Sequence, residues 1–228
     1  MFGLYLRNLM TVLVIVLAPV FPISAQDMST DDLLTEIDKR INNKVAKQNA
    51  IQAGRERTVL CKSCHGADGN SKKSDVPNLA GQNAGYLLDQ IGRFADGRRK
   101  DFVMNQLARN FSTEDKINIA IFYYSMPVKR HHVNWHLANK GEVLYKNICR
   151  TCHGEEGLGD KNLARLAGQR AEYVKNALTN FRDSAQHPST ASDSLRRSPI
   201  MEKVAKNLTN EQIEQLAEFV AQLPDDFD

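Results

Sequence analysis

One pattern occurs twice in this chain and takes all four of its cysteines: Cys61-Lys62-Ser63-Cys64-His65-Gly66 and Cys149-Arg150-Thr151-Cys152-His153-Gly154, offset by 88 residues. The likeness extends well past the motif. Leu79-Ala80-Gly81-Gln82 returns as Leu166-Ala167-Gly168-Gln169, and Tyr86 and Phe94 return as Tyr173 and Phe181, with the offset now 87. From Met104 the match resumes without gaps at offset 97, running from Met104-x-x-Leu107-Ala108-Arg109-Asn110 against Met201-x-x-Val204-Ala205-Lys206-Asn207 to Met126-Pro127 against Leu223-Pro224. A chain built this way folds as two tandem copies of one unit, with a ten-residue insertion in the second copy between Phe181 and Met201.

Each copy reads as helical, which makes the fold class all-α. Ala53 to Leu60 and Ala138 to Ile148 lead into the Cys motifs, and Tyr86, Leu87, Ile91 and Phe94 fall on roughly one helical face. Ser112 to Asp115 and Thr209 to Gln212 resemble capping boxes that open the last helix of each copy, which ends before Pro127 or Pro224. Period-two alternation over strand length is absent. The expected units are residues 53-127 and 138-228, joined by a polar, exposed linker over 128-137 that contains His131 and His132. Ahead of them, residues 26-52 form a helical extension in which Leu33, Leu34, Ile37, Ile41 and Val45 make an apolar stripe behind Ser29 and Thr30. Such a stripe is expected to pack back on its own domain, the other readings being a partner or a membrane surface.

Residues 1-25 combine Arg7, an apolar run from Leu9 to Phe21 and a small-residue end at Ala25, the layout of a secretory signal cleaved to leave 203 residues from Gln26. The run is thirteen residues, short of the roughly 20 that span a bilayer. The mature chain is thus expected outside the cytoplasm, in the periplasm, where disulfides are permitted. The 30 basic and 27 acidic groups of the full chain are spread along it, so it lacks the one-sided field that nucleic acid requires.

Cys-x-x-Cys-His is an attachment sequence for c-type haem: two thiols on one helical turn add to two vinyl groups, and the following His projects toward the iron. A zinc site would need convergent Cys pairs, and these sit in separate copies. A thioredoxin-like pair would accompany a βαβ pattern, and a disulfide closing so small a loop stabilises little. The reading is two covalently bound haem groups, at Cys61 and Cys64 and at Cys149 and Cys152, with His65 and His153 as iron ligands. A soft thioether is the natural opposite ligand. Met104 and Met201 match each other and stand in the loop ahead of the last helix, whereas Met126 pairs with Leu223 and so marks an apolar packing site. His187, inside the insertion, has no counterpart and reads as a solvated loop residue. His131, His132 and His136 lack acidic or thiol companions and make a weak metal site.

At these residues, and at Pro77-Asn78-Leu79-Ala80-Gly81-Gln82, the chain resembles the cytochrome c4 family of dihaem class I cytochromes c from about Ala53 to Pro224. The resemblance implies two packed cytochrome c folds that shuttle electrons toward a terminal oxidase. It also implies a hydrogen bond from His65 to the carbonyl of Pro77, a contact that orients the imidazole. Ala164 stands where the second copy should have its proline. The leading expectation is a periplasmic electron carrier, not an enzyme, working between redox proteins such as a quinol-cytochrome c reductase and a terminal oxidase. The alternatives are an electron-entry subunit of an oxidase or reductase complex, peripherally associated with the membrane, and a dihaem peroxidase, which the Met matched in both copies disfavours. Arg98, Arg99 and Lys100 beside Met104 form either a docking patch for an acidic partner or a solvated loop.

Overall fold

The computed structural model describes residues 29–129, 131–188 and 196–223, so the expected signal segment lies outside the described residues. The described residues are helical, with a lone bridge between Asp160 and Leu163 in place of any strand. In chain order the helices are α1 Thr30–Asn42, α2 Lys44–Arg57, α3 Lys62–His65, α4 Ala84–Ala95, α5 Phe102–Arg109 and α6 Thr113–Tyr124, then α7 Trp135–Ile148, α8 Arg150–His153, α9 Ala171–Gln186, α10 Pro199–Ala205 and α11 Asn210–Gln222. Helices α2 to α6 and α7 to α11 correspond one to one, as the internal repeat requires.

In both units the helix before the Cys motif crosses the last helix at a glycine. A Cβ on Gly54 would overlap the carbonyl oxygen of Asn118 and the Cβ of Phe122, and one on Gly141 would overlap Gln215 and Phe219 in the same way. Only hydrogen lets these backbones approach so closely. The last helices open with the expected capping boxes, Ser112 with Asp115 and Thr209 with Gln212. Helix α6 then buries Ile117, Ile119, Ala120, Ile121, Phe122 and Tyr123, a helix covered on nearly every side. Leu87, Leu88, Ile91 and Phe94 of α4 complete the first core, while Val174, Leu178, Phe181, Ile213, Leu216 and Phe219 make the second. Tyr86 is only half-buried and turns toward the other unit.

The extension packs on the first unit. Its Ile37 is buried, Leu33 and Ile41 lie against the first core, and Arg40 bonds Glu36 at 2.8 Å, Glu114 at 2.6 Å and Asn118 at 3.2 Å. Val45 departs from the expected stripe and is 70% exposed, because the chain bends at Asn43, whose side chain caps α2. Lys161 of the second unit donates to Asp38 at 3.0 Å, so α1 touches both halves.

Three further expectations need correction. Met104 and Met201 stand not in loops but in short helices, α5 capped by Asp101 and α10 opened by Pro199. The linker is not wholly exposed, since Val128 and Val133 are buried, and its last residues already belong to α7. Arg99, read as part of a surface patch or loop, is half-buried and bonds across to the second unit.

Candidate haem centres

In the first unit Cys61 caps the one-turn helix α3, and its carbonyl accepts from the backbone of Cys64 at 3.2 Å and of His65 at 2.9 Å. In the second unit Cys149 does the same for Cys152 and His153, at 3.2 and 3.0 Å. All four thiols are free. Burial pushes the Cys61 thiol up and the Cys149 thiol up to about 11, so in the folded chain both are protonated at neutral pH.

The two histidines share one arrangement. Nδ1 of His65 lies 2.9 Å from the carbonyl of Pro77, and Nδ1 of His153 lies 2.9 Å from that of Ala164. A carbonyl has no proton to give, so each Nδ1 carries the hydrogen and each Nε2 keeps its lone pair. Burial lowers the affinity of both imidazoles for a second proton. A neutral ring held by one nitrogen, with the other free to donate an electron pair, is the form a metal ligand needs. The charges of Arg99 and Asp101, just ahead of Met104, reach His65, and that of Arg196, just ahead of Met201, reaches His153. Met104 and Cys61 pack against the first core, and Met201 and Cys149 against the second. Met126 and Leu223 also pack on those cores, as their pairing predicts. His187 is exposed. With thiols, neutral imidazoles and soft thioethers in each unit, the residues present fit a covalently held haem.

The carbonyls that hold the histidines are supported from the opposite unit, which the sequence reading missed. Gln169 accepts from the N–H of Asn78 at 2.7 Å and donates to its carbonyl at 3.0 Å, clasping the residue after Pro77. Gln82 clasps Arg165, the residue after Ala164, at 2.7 and 2.8 Å. Val128 of the linker packs against both Gly81 and Gly168 beside these glutamines. His131 lies at the same junction, bonded to Asn78 at 2.8 Å and Arg170 at 2.7 Å. The signal was available, since Gln82 and Gln169 recur in the repeat although helical periodicity gives no reason for a glutamine there.

A second cross-unit set lies near the histidines. Arg99 donates to the hydroxyl of Tyr173 at 3.0 Å, and Arg196 donates to Tyr173 at 3.1 Å and to Tyr86. Each guanidinium also sits over a phenylalanine of its own unit, Arg99 over Phe94 at 4.5 Å and Arg196 over Phe181 at 5.1 Å. Burial alone would raise the Tyr173 phenol, but the charges of Arg196 and Arg99 outweigh it and hold the group down at about 8.

Comparison with known proteins agrees with this picture. Residues 138–224 match the family model described as cytochrome c. The chain is 32% identical over 178 residues to cytochrome c4 of Pseudomonas aeruginosa, covering 74% of this chain and 86% of that protein. It is 30% identical over 177 residues to a protein of Thiomonas intermedia named thiosulfate dehydrogenase electron acceptor, covering 72% and 78%. Among solved structures, reduced recombinant cytochrome c4 from Pseudomonas stutzeri superposes with a TM-score of 0.66 at 30% identity, over 76% of this chain and 98% of that one.

Proposed function

The chain belongs to the cytochrome c4 family, a dihaem electron-transfer protein with two class I cytochrome c domains and covalently bound haem c; from that premise we propose that it works in the periplasm, passing electrons from a quinol-cytochrome c reductase toward a terminal oxidase. Cys61 and Cys64 hold one haem, with His65 and Met104 as its iron ligands. Cys149 and Cys152 hold the other, with His153 and Met201. When bound, each haem supplies a one-electron ferrous/ferric couple.

The observation that carries this reading is the paired histidine geometry, a neutral imidazole, buried in the first unit and half-buried in the second, anchored through Nδ1 at 2.9 Å in both. The carbonyl of Pro77 or Ala164 fixes the ring plane, and the clasping glutamine fixes the carbonyl. A ligand held this rigidly keeps its place when the charge at the metal changes, which keeps reorganisation on electron transfer small. Met104 and Met201, fixed within short helices against the cores, would supply each haem iron with a soft thioether as its second protein ligand.

Intact mass under denaturing conditions is expected to show a polypeptide beginning near Gln26 with two attached haems. The wild-type ferrous protein is expected to bind carbon monoxide slowly or not at all and to lack peroxide turnover. Rapid stoichiometric binding with turnover would overturn the carrier reading. A second reading, electron acceptor of a dehydrogenase, is favoured by the likeness to the Thiomonas intermedia protein of that name. Stopped-flow reduction by a thiosulfate dehydrogenase against reduction by the quinol-dependent reductase separates the two.

A further inference from the structure

A non-glycine residue with positive φ crowds its own Cβ against the backbone and keeps that shape only where its neighbours impose it. Among the described residues this happens once, at Lys161, with φ 23°. Lys161 stands three residues before Ala164, whose carbonyl takes the Nδ1 hydrogen of His153. The loop around it has little from its own unit to hold it. Asn70 and Ser71 close the matching loop of the first unit with side-chain bonds, and Leu158 and Gly159, in their places, carry no such groups. Residues 160 to 163 are exposed, and a cleft of about 310 Å³ opens between Leu158–Lys161 and α1. The groups that fix this loop come from across the junction. Asn83, at the head of α4, makes no cap bond to its own helix and donates instead to the carbonyls of Leu158 at 2.8 Å and Leu163 at 2.7 Å. The N–H of Tyr86, in the first turn of α4 where a helix offers no partner, donates to the Lys161 carbonyl at 3.1 Å. A Cβ on Gly85 would overlap both that carbonyl and Cδ2 of Leu34, so α1, α4 and the loop meet on one face of Gly85. Asp38, one turn further along α1, accepts from Nζ of Lys161 at 3.0 Å.

We propose that α1 is a strap across the junction, and that Leu34 and Asp38 are positioning residues for His153, the iron ligand of the opposite unit. The proposal rests on the dihaem reading above. Leu34 closes over Gly85 and limits how far the Lys161 carbonyl can leave α4, while Asp38 holds the Lys161 side chain from the outer edge. With Lys161 fixed, only three residues separate it from Ala164, too short a stretch to swing freely. Gln82 already fixes the other flank of that carbonyl through Arg165. Ala164 is thus held on both sides by groups that lie outside its own unit, and the His153 ring keeps its plane. Helix α1 stands ahead of the repeat and has no counterpart in the second unit. Its bonds to the first unit run to Glu114 and Asn118 of α6, so the support falls on His153 rather than on His65.

The test uses the ferrous holoprotein and follows, by NMR, the exchange with solvent of the Nδ1 hydrogens of His65 and His153. Leu34→Ala is expected to speed exchange at His153 about tenfold by easing local opening of the loop, and to change that at His65 by less than about twofold. Asp38→Asn should speed it about threefold, the smaller effect of an exposed ion pair, and Asp38→Glu should return it to the wild-type rate. Lys161→Met removes the same pair from the other end; it should match Asp38→Asn, and the double variant should be no faster than either alone. Asp38 lies at the surface, so its variants keep the proposal open to refutation even where Leu34→Ala fails to fold. Equal acceleration at both histidines would mean general loosening of the protein and would overturn the proposal, as would additive effects of Asp38→Asn and Lys161→Met. Haem content of every sample is counted from its alkaline pyridine spectrum. Two haems per chain with His153 exchange indifferent to these changes would sink the strap and leave the dihaem reading standing. A wild-type chain without haem would sink both.

Discussion

The two units place their histidines identically and support them differently. After the first Cys motif, Asn70 and Ser71 close the loop with side-chain hydrogen bonds: Ser71 donates to the Cys64 carbonyl at 3.0 Å and to Asn78 through its N–H at 2.8 Å, while Asn70 donates to Pro127 at 2.9 Å. The equivalent residues of the second unit are Leu158 and Gly159, and that loop is closed by a backbone bond from Gly159 to His153 at 2.9 Å. His65 is buried to 8% exposure, whereas His153 is half-buried. The first unit also has Pro77 before its clasped residue and α1 packed on its core. The contrast teaches that the ligand geometry is set by the common fold, whereas its stiffness and its access to water are set by what each copy has acquired since. Surroundings of this kind tune an iron without changing its ligands.

Four sets of substitutions break or sharpen the comparison. The largest effect is expected from Met104→Ala and Met201→Ala, each removing a soft ligand from one unit only. Each variant should bind one carbon monoxide per chain and lower one potential, while Met126→Ala does neither; a larger spectral change from Met126→Ala would show the repeat alignment to be wrong. Next, Gly54→Ala and Gly141→Ala should each destabilise their own unit by about 3 kcal/mol or more, since the added methyl meets backbone that cannot yield cheaply. Two separated thermal transitions, with only the mutated unit displaced, would mark the units as independent. Both transitions moving together would mean that the junction holds them as one.

Smaller still is Arg40→Ala, which frees α1 from α6 and should cost the first unit about 1 kcal/mol, because Glu114 is 60% exposed and screened by water. The pH dependence has a definite sign. The hydrogen bond from Arg40 holds the Glu114 carboxyl below its usual range. Its contribution is therefore present above the unfolded carboxyl value of about 4.3 and is lost as pH falls through the lower folded value. Denaturant titrations of wild type and variant should differ by a constant amount at neutral pH and converge in acid. The smallest effect is expected from exchanging the residues that differ at the carbonyls. Pro77→Ala loosens one loop and Ala164→Pro stiffens the other, so together they should narrow the gap between the two potentials. A wild type that titrates as one step for both haems would show that the differing surroundings cancel.

Much of this molecule was legible before any coordinates. The Cys motifs, the repeat and the capping boxes are local signals, and a residue such as Ser112 does the same thing in the sequence as in the structure. The histidine-to-carbonyl bond came from resemblance rather than from spacing. What could not be read was which face of a loop turns inward. Arg99 lies beside the exposed Arg98 and Lys100, and nothing in a run of three basic residues says that the middle one crosses to another domain. Val128 sits in a polar linker yet packs against two glycines from different units, a contact that exists only once both units are placed. Met104 was expected in a loop because its helix spans only Phe102–Arg109, too short for apolar periodicity to register. The recurring Gln82 and Gln169, and the recurring Tyr86 and Tyr173, were visible as repeats. Their meaning lay in the junction, which no single copy contains.

The reciprocal glutamine clasps have a consequence for how such a chain arises. Gln82 grips Arg165 as Gln169 grips Asn78, each pair made of the same two repeat positions taken from opposite units. This is the arrangement of an isologous interface, in which one self-complementary patch serves both partners about a pseudo-dyad. A free unit bearing that loop already has what a homodimer requires. Fusing two copies through a short linker holds the patches at a local concentration on the order of millimolar, so the contact no longer has to be strong enough to assemble from solution. Once association is covalent, either copy can change the residues that once had to suit both, as Asn78 and Arg165 have done at the two ends of the same clasp.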